Sequence, residues 1–240
     1  MMVTYRARSD VGPVRSLNED CYGVGEGQPD APPGMLFIVC DGRGGPNLGE
    51  VAARLAADTI NATYYAADEA DPAQGLREAF QLANQRIYQR WGHSSTQVAV
   101  VAALVIAGQI LIASVGDCRA YRFHERQLHR ITTDHTFFER LIQQGMLTRE
   151  DVQMYTSNIM RLRALGAAVE LKVDLFQQTL QKDEALLLCT DGLHDYLEDR
   201  EIEETLTTTP LAEAVDRLID LVYERDGRDN VTALLIWREE

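Results

Sequence analysis

Three apolar segments of this 240-residue chain end in the same way, on an aspartate beside a glycine: Cys40-Asp41-Gly42, Val115-Gly116-Asp117 and Thr190-Asp191-Gly192. A fourth aspartate, Asp229, stands just before the apolar run at Val231, and Glu19-Asp20 precedes the segment Cys21 to Gly25. Carboxylates gathered at strand ends disfavour one another's ionisation, and a divalent cation removes that cost. Oxygen donors with no His or Cys among them suit Mg2+ or Mn2+ better than zinc. A glycine after the aspartate also lets a backbone carbonyl approach a metal. One Asp-Gly is an ordinary turn dipeptide. Its recurrence at strand ends, with Arg15 near the first acid pair, points to a site.

The segments between these acids set the fold class. Short strands are predicted at Val3 to Arg8 and Asp20 to Gly25, followed by a Pro-rich loop over Gln28 to Gly34. Met35 to Cys40 is a continuous apolar strand. From Gly49 the pattern turns helical, with Val51, Leu55, Ala56 and Ile60 on one face, and a second helix runs from about Ala73 to Trp91. Gln97 to Ile106 and Ile110 to Val115 read as a hairpin, and Ala120 to Phe123 as a further strand paired with the stretch holding Leu128 and Ile131. Residues 136 to 163 read as a helical flap broken at Gly145. Strands are predicted at Leu171 to Phe176, Ala185 to Cys189 and Val231 to Trp237, with a short helix after Asp199 and a longer one from Pro210 to about Arg225. Hairpins and adjacent short strands imply antiparallel sheets rather than a doubly wound parallel one. The layer count implies an α+β domain spanning 1–240, two sheets with helices outside and the flap at about 134–166.

Composition excludes several classes. With 45% hydrophobic and 25% charged residues the chain is an ordinary globular one. The longest apolar run, Val98 to Ala107, suits a buried strand and is far short of the ~18 residues of a membrane span. A net charge of −14 repels nucleic acid. Lys172 and Lys182 are the only lysines, and neither follows a Gly-rich turn, which argues against a phosphate loop and a Schiff-base lysine. Cys21, Cys40, Cys118 and Cys189 form no Cys-x-x-Cys pair, so zinc and a disulfide framework are both disfavoured. Arg6, Arg8 and Asp10 without a following apolar stretch read as a cytoplasmic protein rather than a secreted one.

The motifs together resemble the PP2C-type (PPM) metal-dependent serine/threonine protein phosphatases in their compact bacterial form. Gly12-Pro13-Val14-Arg15-Ser16-Leu17-Asn18-Glu19-Asp20 resembles the family's opening motif, Asp41-Gly42-Arg43-Gly44-Gly45 its metal-binding turn, and Gly49-Glu50 the start of its first helix. Val115-Gly116-Asp117-Cys118-Arg119-Ala120-Tyr121 is similar to the central motif. Asp134-His135 and Arg163-Ala164-Leu165-Gly166 resemble the entry and exit of the flap. Leu187-Leu188-Cys189-Thr190-Asp191-Gly192-Leu193 and Asp229-Asn230-Val231-Thr232 complete the series.

The resemblance implies a four-layer α/β/β/α sandwich with two Mn2+ or Mg2+ ions between the sheets. It implies that Asp41 bridges both ions, Asp191 and Asp229 complete the first site, and the Gly42 carbonyl serves the second. Glu19 and Asp20 would act largely through water, Asp117 would help hold a third, weaker ion, and Arg15 would grip the substrate phosphate. A hydroxide activated by the binuclear centre would hydrolyse phosphoserine and phosphothreonine without a covalent intermediate. The implied partners are phosphorylated proteins, a serine/threonine kinase and its substrates, with no nucleic acid or membrane and with the phosphatase a monomer.

The chain departs from that pattern in places. Arg43 stands where relatives have Met or His, and an arginine is a poor proton donor. His135 and His194 are then the candidate side chains for protonating the leaving group, beside water. Arg43 either points to solvent or helps bind phosphate. His93-Ser94-Ser95-Thr96-Gln97 replaces a Gly-Thr-Thr segment, and the flap exit is lengthened by Ser157-Asn158-Ile159-Met160-Arg161-Leu162. The cysteines each lie within two residues of a site acid, as strand filler or, alternatively, as a peroxide-sensitive control. His93, His124 and His129 read as surface or packing residues, Gly23 to Gly27 as a turn, and Glu198 to Glu204 as a solvated helix face. A non-catalytic phosphoprotein-binding module and a small-phosphoester hydrolase are the rival readings.

Overall fold

The computed structural model describes residues 3–27, 33–45, 47–67, 71–92, 94–148, 151 and 160–238. The strand run Met35–Arg43 (β3) explains why the chain carries such long apolar stretches. Its alternate residues face two different cores, Leu36, Ile38 and Cys40 on one side and Phe37 and Val39 on the other. Gln97–Ile106 (β4) does the same, with Val98, Val100, Ala102 and Leu104 against helices and Ala99, Val101, Ala103 and Val105 against the second sheet. A strand covered on both faces has no polar side, so the alternation of a half-exposed strand disappears.

Two five-stranded antiparallel sheets result. In sheet I the order is β1 (Val3–Asp10), β10 (Val231–Arg238), β9 (Ala185–Cys189), β6 (Arg119–His124), β7 (Gln127–Arg130). In sheet II it is β2 (Asp20–Glu26), β3, β4, β5 (Gln109–Val115), β8 (Asp174–Thr179). Helices α1 (Leu48–Ala66) and α2 (Pro72–Trp91) cover sheet II. The Ala52, Ala53, Ala56 and Ala57 face of α1 is flat enough to lie close on the strands. Asp71 caps α2 by accepting from the Ala73 N–H, with Pro72 opening the helix. The outer face of sheet I is covered by α5 (Asp199–Thr208) and α6 (Leu211–Glu224), with the short α4 (Asp191–His194) following β9. Between the sheets lie Phe37, Val101, Ile112, Leu188, Leu234 and Ile236, all fully buried. Four layers, helix–sheet–sheet–helix, are thus present as expected, and no helix is long and apolar enough to cross a membrane among the described residues.

Two element boundaries differ from the sequence expectation. The strand anticipated at Leu171 to Phe176 lies at Asp174–Thr179, because its partner is β5, with Asp174 opposite Ser114 and Thr179 opposite Gln109. The apolar stripe of the flap forms a helix as expected, but the exit at 160–163 is not helical. The stripe is α3 (Phe137–Gln143), capped by the Thr136 hydroxyl and closed at Gly145, and the exit at Arg161 pairs with Thr136 as an extended bridge. Ser157, Asn158 and Ile159 of the lengthened exit, most of the Pro-rich loop and His93 lie outside the described residues.

The base of the flap is fixed by Asp134. Arg119 grips it through Nε and Nη2, the latter at 2.7 Å, and Arg130 reaches it at 2.5 Å. Burial alone would raise the carboxyl pKa, but the two arginines outweigh it and bring it down to about 2. A folded-state pKa below the unfolded one means stability that is present above pH about 4 and lost as pH falls towards 2. We expect Asp134→Asn to cost on the order of 2 kcal/mol at neutral pH, with the difference from the unmutated protein closing below pH about 3, as read by urea unfolding. A constant difference across that window would contradict this assignment.

Candidate metal centre

The acids at the strand ends converge because antiparallel register puts them there. Asp41, near the end of β3, is directly opposite Asp20, the first residue of β2. Asp117 follows β5 at the turn where the chain crosses from sheet II to sheet I, and Asp191 begins α4 directly after β9 and Thr190. Carboxylate oxygens of Asp41, Asp117 and Asp191 lie within 4.8 Å of one another, and all three residues are buried.

Asp20 ties the two sheets together at this end. Its Oδ2 accepts from the hydroxyls of Thr190 (2.8 Å) and Thr232 (2.9 Å), both on the sheet I side. Glu19 is fixed on the other flank, its Oε1 accepting from the Gly49 N–H at 3.1 Å and its carbonyl from the Gly42 N–H at 3.0 Å. Gly42 must be a glycine, since a Cβ there would lie 2.1 Å from the Gly49 carbonyl oxygen. Gly192 is held to the same standard by the Asn230 carbonyl oxygen at 1.8 Å. Asn230 in turn accepts from the Glu19 N–H (2.8 Å) and donates to the Val11 and Leu17 carbonyls, which fixes the loop bearing Arg15.

Burial followed by mutual repulsion holds the carboxyls of Asp20 and Asp191 well above the usual range, Asp41 being the first charge responsible in each case. Burial also raises Glu19. Such a set is costly as bare anions and well matched to a hard divalent cation. The donor atoms at hand are oxygens, so these residues fit Mn2+ or Mg2+ chemically.

Three arginines lie against the acids. Arg15 Nη2 reaches Asp229 Oδ2 at 2.8 Å, with the arginine half exposed. Asp229 therefore stands at the rim, paired with Arg15, and is not one of the three clustered carboxylates. Arg43, partly exposed, comes within 3.8 Å of Asp191. Arg161, from the flap exit, enters the cluster itself: it hydrogen-bonds Asp41 Oδ2, its Nε is 2.6 Å from Asp117 Oδ1, and Nη2 is 3.6 Å from Asp191 Oδ2. In the sequence Arg161 stands only as one residue of a lengthened segment. Its hydrophobic flanks and distance along the chain gave no sign of it.

The two histidines considered as proton donors are engaged otherwise. His135 accepts from the Gly116 N–H through Nδ1 (2.9 Å) and faces Asp174 through Nε2 (3.1 Å). His194 Nε2 donates to the Asp117 carbonyl at 3.0 Å. Both imidazoles are buried, and burial lowers the His135 pKa. They pin the Gly116-Asp117 turn from its two sides, a positioning role that their separation in sequence concealed. The cysteines are all buried. Burial raises the Cys40, Cys118 and Cys189 thiols, whereas a hydrogen bond with Cys40 lowers Cys21, which packs on the α1 side of sheet II.

A family model described as protein phosphatase 2C matches residues 17–235. The serine/threonine phosphatase Stp of Listeria monocytogenes is 33% identical over 241 residues, covering 97% of this chain and 94% of its own. The crystal structure of the serine/threonine phosphatase Stp1 from Staphylococcus aureus is 30% identical with a TM-score of 0.90, over 100% of this chain and 96% of that one. The catalytic domain of the phosphatase PstP in complex with two manganese ions is 29% identical with a TM-score of 0.83, over 98% and 97%. On this match in sequence and architecture, the chain belongs to the protein phosphatase 2C family, the metal-dependent serine/threonine protein phosphatases.

Proposed function

We propose that this chain, as one domain over 1–240 with a flap at about 134–166, hydrolyses phosphoserine and phosphothreonine in proteins at a binuclear Mn2+ or Mg2+ centre. The observation that carries this is the convergence of Asp41, Asp117 and Asp191 at one end of the sandwich. The two manganese ions of the PstP relative support the binuclear count. Asp41 would serve both ions, Asp191 and Asp229 the first, and the Gly42 carbonyl the second, with Glu19 and Asp20 acting through water. Ions of this kind, when bound, polarise the phosphoryl group and lower the pKa of the attacking water.

The chain's own residues supply the rest. Arg15 is at the rim with a fork suited to two phosphate oxygens, and Arg43 is a second cation at the mouth. Asp20, clasped by Thr190 and Thr232, keeps the opposed strand ends in register. His135 and His194 hold the Asp117 turn, so the proton for the leaving oxygen comes from solvent. On this reading the partners are products of a serine/threonine kinase, met in the cytoplasm by a monomer.

Asp41→Asn and Asp191→Asn should each reduce turnover of a phosphothreonine peptide at least about a hundredfold with the fold intact by circular dichroism, and EDTA should abolish the unmutated activity. Full activity of either variant would overturn the centre. A binding module shows no turnover at all, and a small-ester enzyme hydrolyses p-nitrophenyl phosphate while ignoring the peptide.

Arg15→Ala and Arg43→Met should raise KM for the peptide more than they lower kcat; an unchanged KM would remove that arginine from phosphate binding. p-Nitrophenolate leaves without a proton, whereas a seryl oxygen needs one. His194→Asn should therefore slow both substrates in the same proportion, and a loss confined to the peptide would make His194 the proton donor after all.

A further inference from the structure

The flap exit is a surface strip with one residue turned inward. Met160 and Leu162 are 56% and 44% exposed, while the Arg161 side chain between them is 1% exposed. Its guanidinium touches the carboxylates of Asp41 and Asp117, comes near that of Asp191, and approaches the Asp41 carbonyl at 3.5 Å. Arginine suits this position, because its planar fork reaches several carboxylates at once. Arg43 is near Asp191, and Arg15 is on Asp229.

We propose that Arg161 is an internal cation that competes with a divalent ion for the Asp41–Asp117–Asp191 cluster, so that loading this position requires the 160–162 strip to withdraw. The inference rests on the metal-centre reading above and goes beyond it. The carboxylates that would ligate an ion are those the guanidinium holds, and two cations at hydrogen-bonding distance from the same oxygens repel. Withdrawal trades the buried ion pairs for those with the metal and breaks few other contacts. The strip is tied down by the Phe137 N–H to the Met160 carbonyl (3.0 Å), the Leu162 N–H to the His135 carbonyl (2.7 Å) and the Thr136–Arg161 bridge. Its flanking side chains are largely outside the core, so little apolar area is exposed when it lifts. With Arg161 in place the acids have a counterion without metal; with metal in place they do not need it.

The test compares Mn2+ binding to the full chain and to Arg161→Gln by titration calorimetry, with melting curves in EDTA and in Mn2+. Arg161→Gln should bind Mn2+ at least about tenfold more tightly at this position, melt lower in EDTA and gain more from Mn2+. Equal or weaker binding by the folded variant overturns the proposal. Should Arg161→Gln not fold in EDTA, Arg161→Lys replaces it, with tighter Mn2+ binding than the unmutated chain expected from loss of the fork and unchanged affinity counting against competition. Hydrogen exchange on the unmutated protein gives an independent reading. The Phe137 and Leu162 amides should exchange faster in Mn2+ than in EDTA, and equal protection overturns the withdrawal. Failure of both the unmutated chain and folded Arg161→Gln to bind Mn2+ refutes the metal-centre reading and this one together, whereas normal Mn2+ binding and turnover unaffected by Arg161→Gln refutes this one alone.

Discussion

Repulsion among gathered carboxylates is the constraint around which this molecule is arranged. Asp20, Asp41, Asp117 and Asp191 are buried at one end of the sandwich, where burial and the charge of Asp41 disfavour the ionisation of Asp20 and Asp191. Every local device at that end reduces this cost in some way. Hydroxyls of Thr190 and Thr232 donate to Asp20, backbone amides donate to Glu19 and Asp229, and arginines stand against Asp41, Asp117, Asp191 and Asp229. The centre is therefore a charge-balance problem before it is a catalytic one, and a hard divalent cation is the most compact solution to it.

The rest of the fold supplies rigidity to hold that unfavourable grouping. Three apolar layers, one between the sheets and one under each pair of helices, make the strand ends fixed points rather than mobile loops. The small residues Ala99, Ala103 and Ala120 between the sheets let them approach closely, and Asp20 can then reach across to hydroxyls on the other sheet. Loosening the packing anywhere in the inter-sheet layer would be transmitted to the acids, since their positions depend on both sheets at once.

Much of this was legible in the residues. The apolar runs at β3 and β4, the hairpin between β4 and β5 and the amphipathic helices follow from periodicity, and the order of motifs carried the family resemblance. The legible features are local ones. What was hidden depends on contacts between distant segments: Arg161 reaching Asp41 across 120 positions, Thr190 and Thr232 meeting Asp20, and Asn230 bridging Val11, Leu17 and Glu19. The histidines illustrate the point. As residue types they suggest proton transfer, and only their hydrogen bonds reveal anchors. The apolar stripe of the flap was legible as the helix Phe137–Gln143, whereas its extended exit, held by the Thr136–Arg161 bridge, depends on a contact between distant segments.

The turn at Gly116-Asp117 is where the chain leaves one sheet for the other, and it is gripped from both sides. His135, leaning on Asp174 at the start of β8, holds the amide of Gly116, while His194, in the helix after β9, holds the carbonyl of Asp117. One carboxylate thus hangs from a peptide whose two ends are leashed to different halves of the sandwich. Any shear of the halves past one another would tilt Asp117 before it disturbed a side chain rooted in a single strand, making this acid the molecule's own gauge of sliding between its layers.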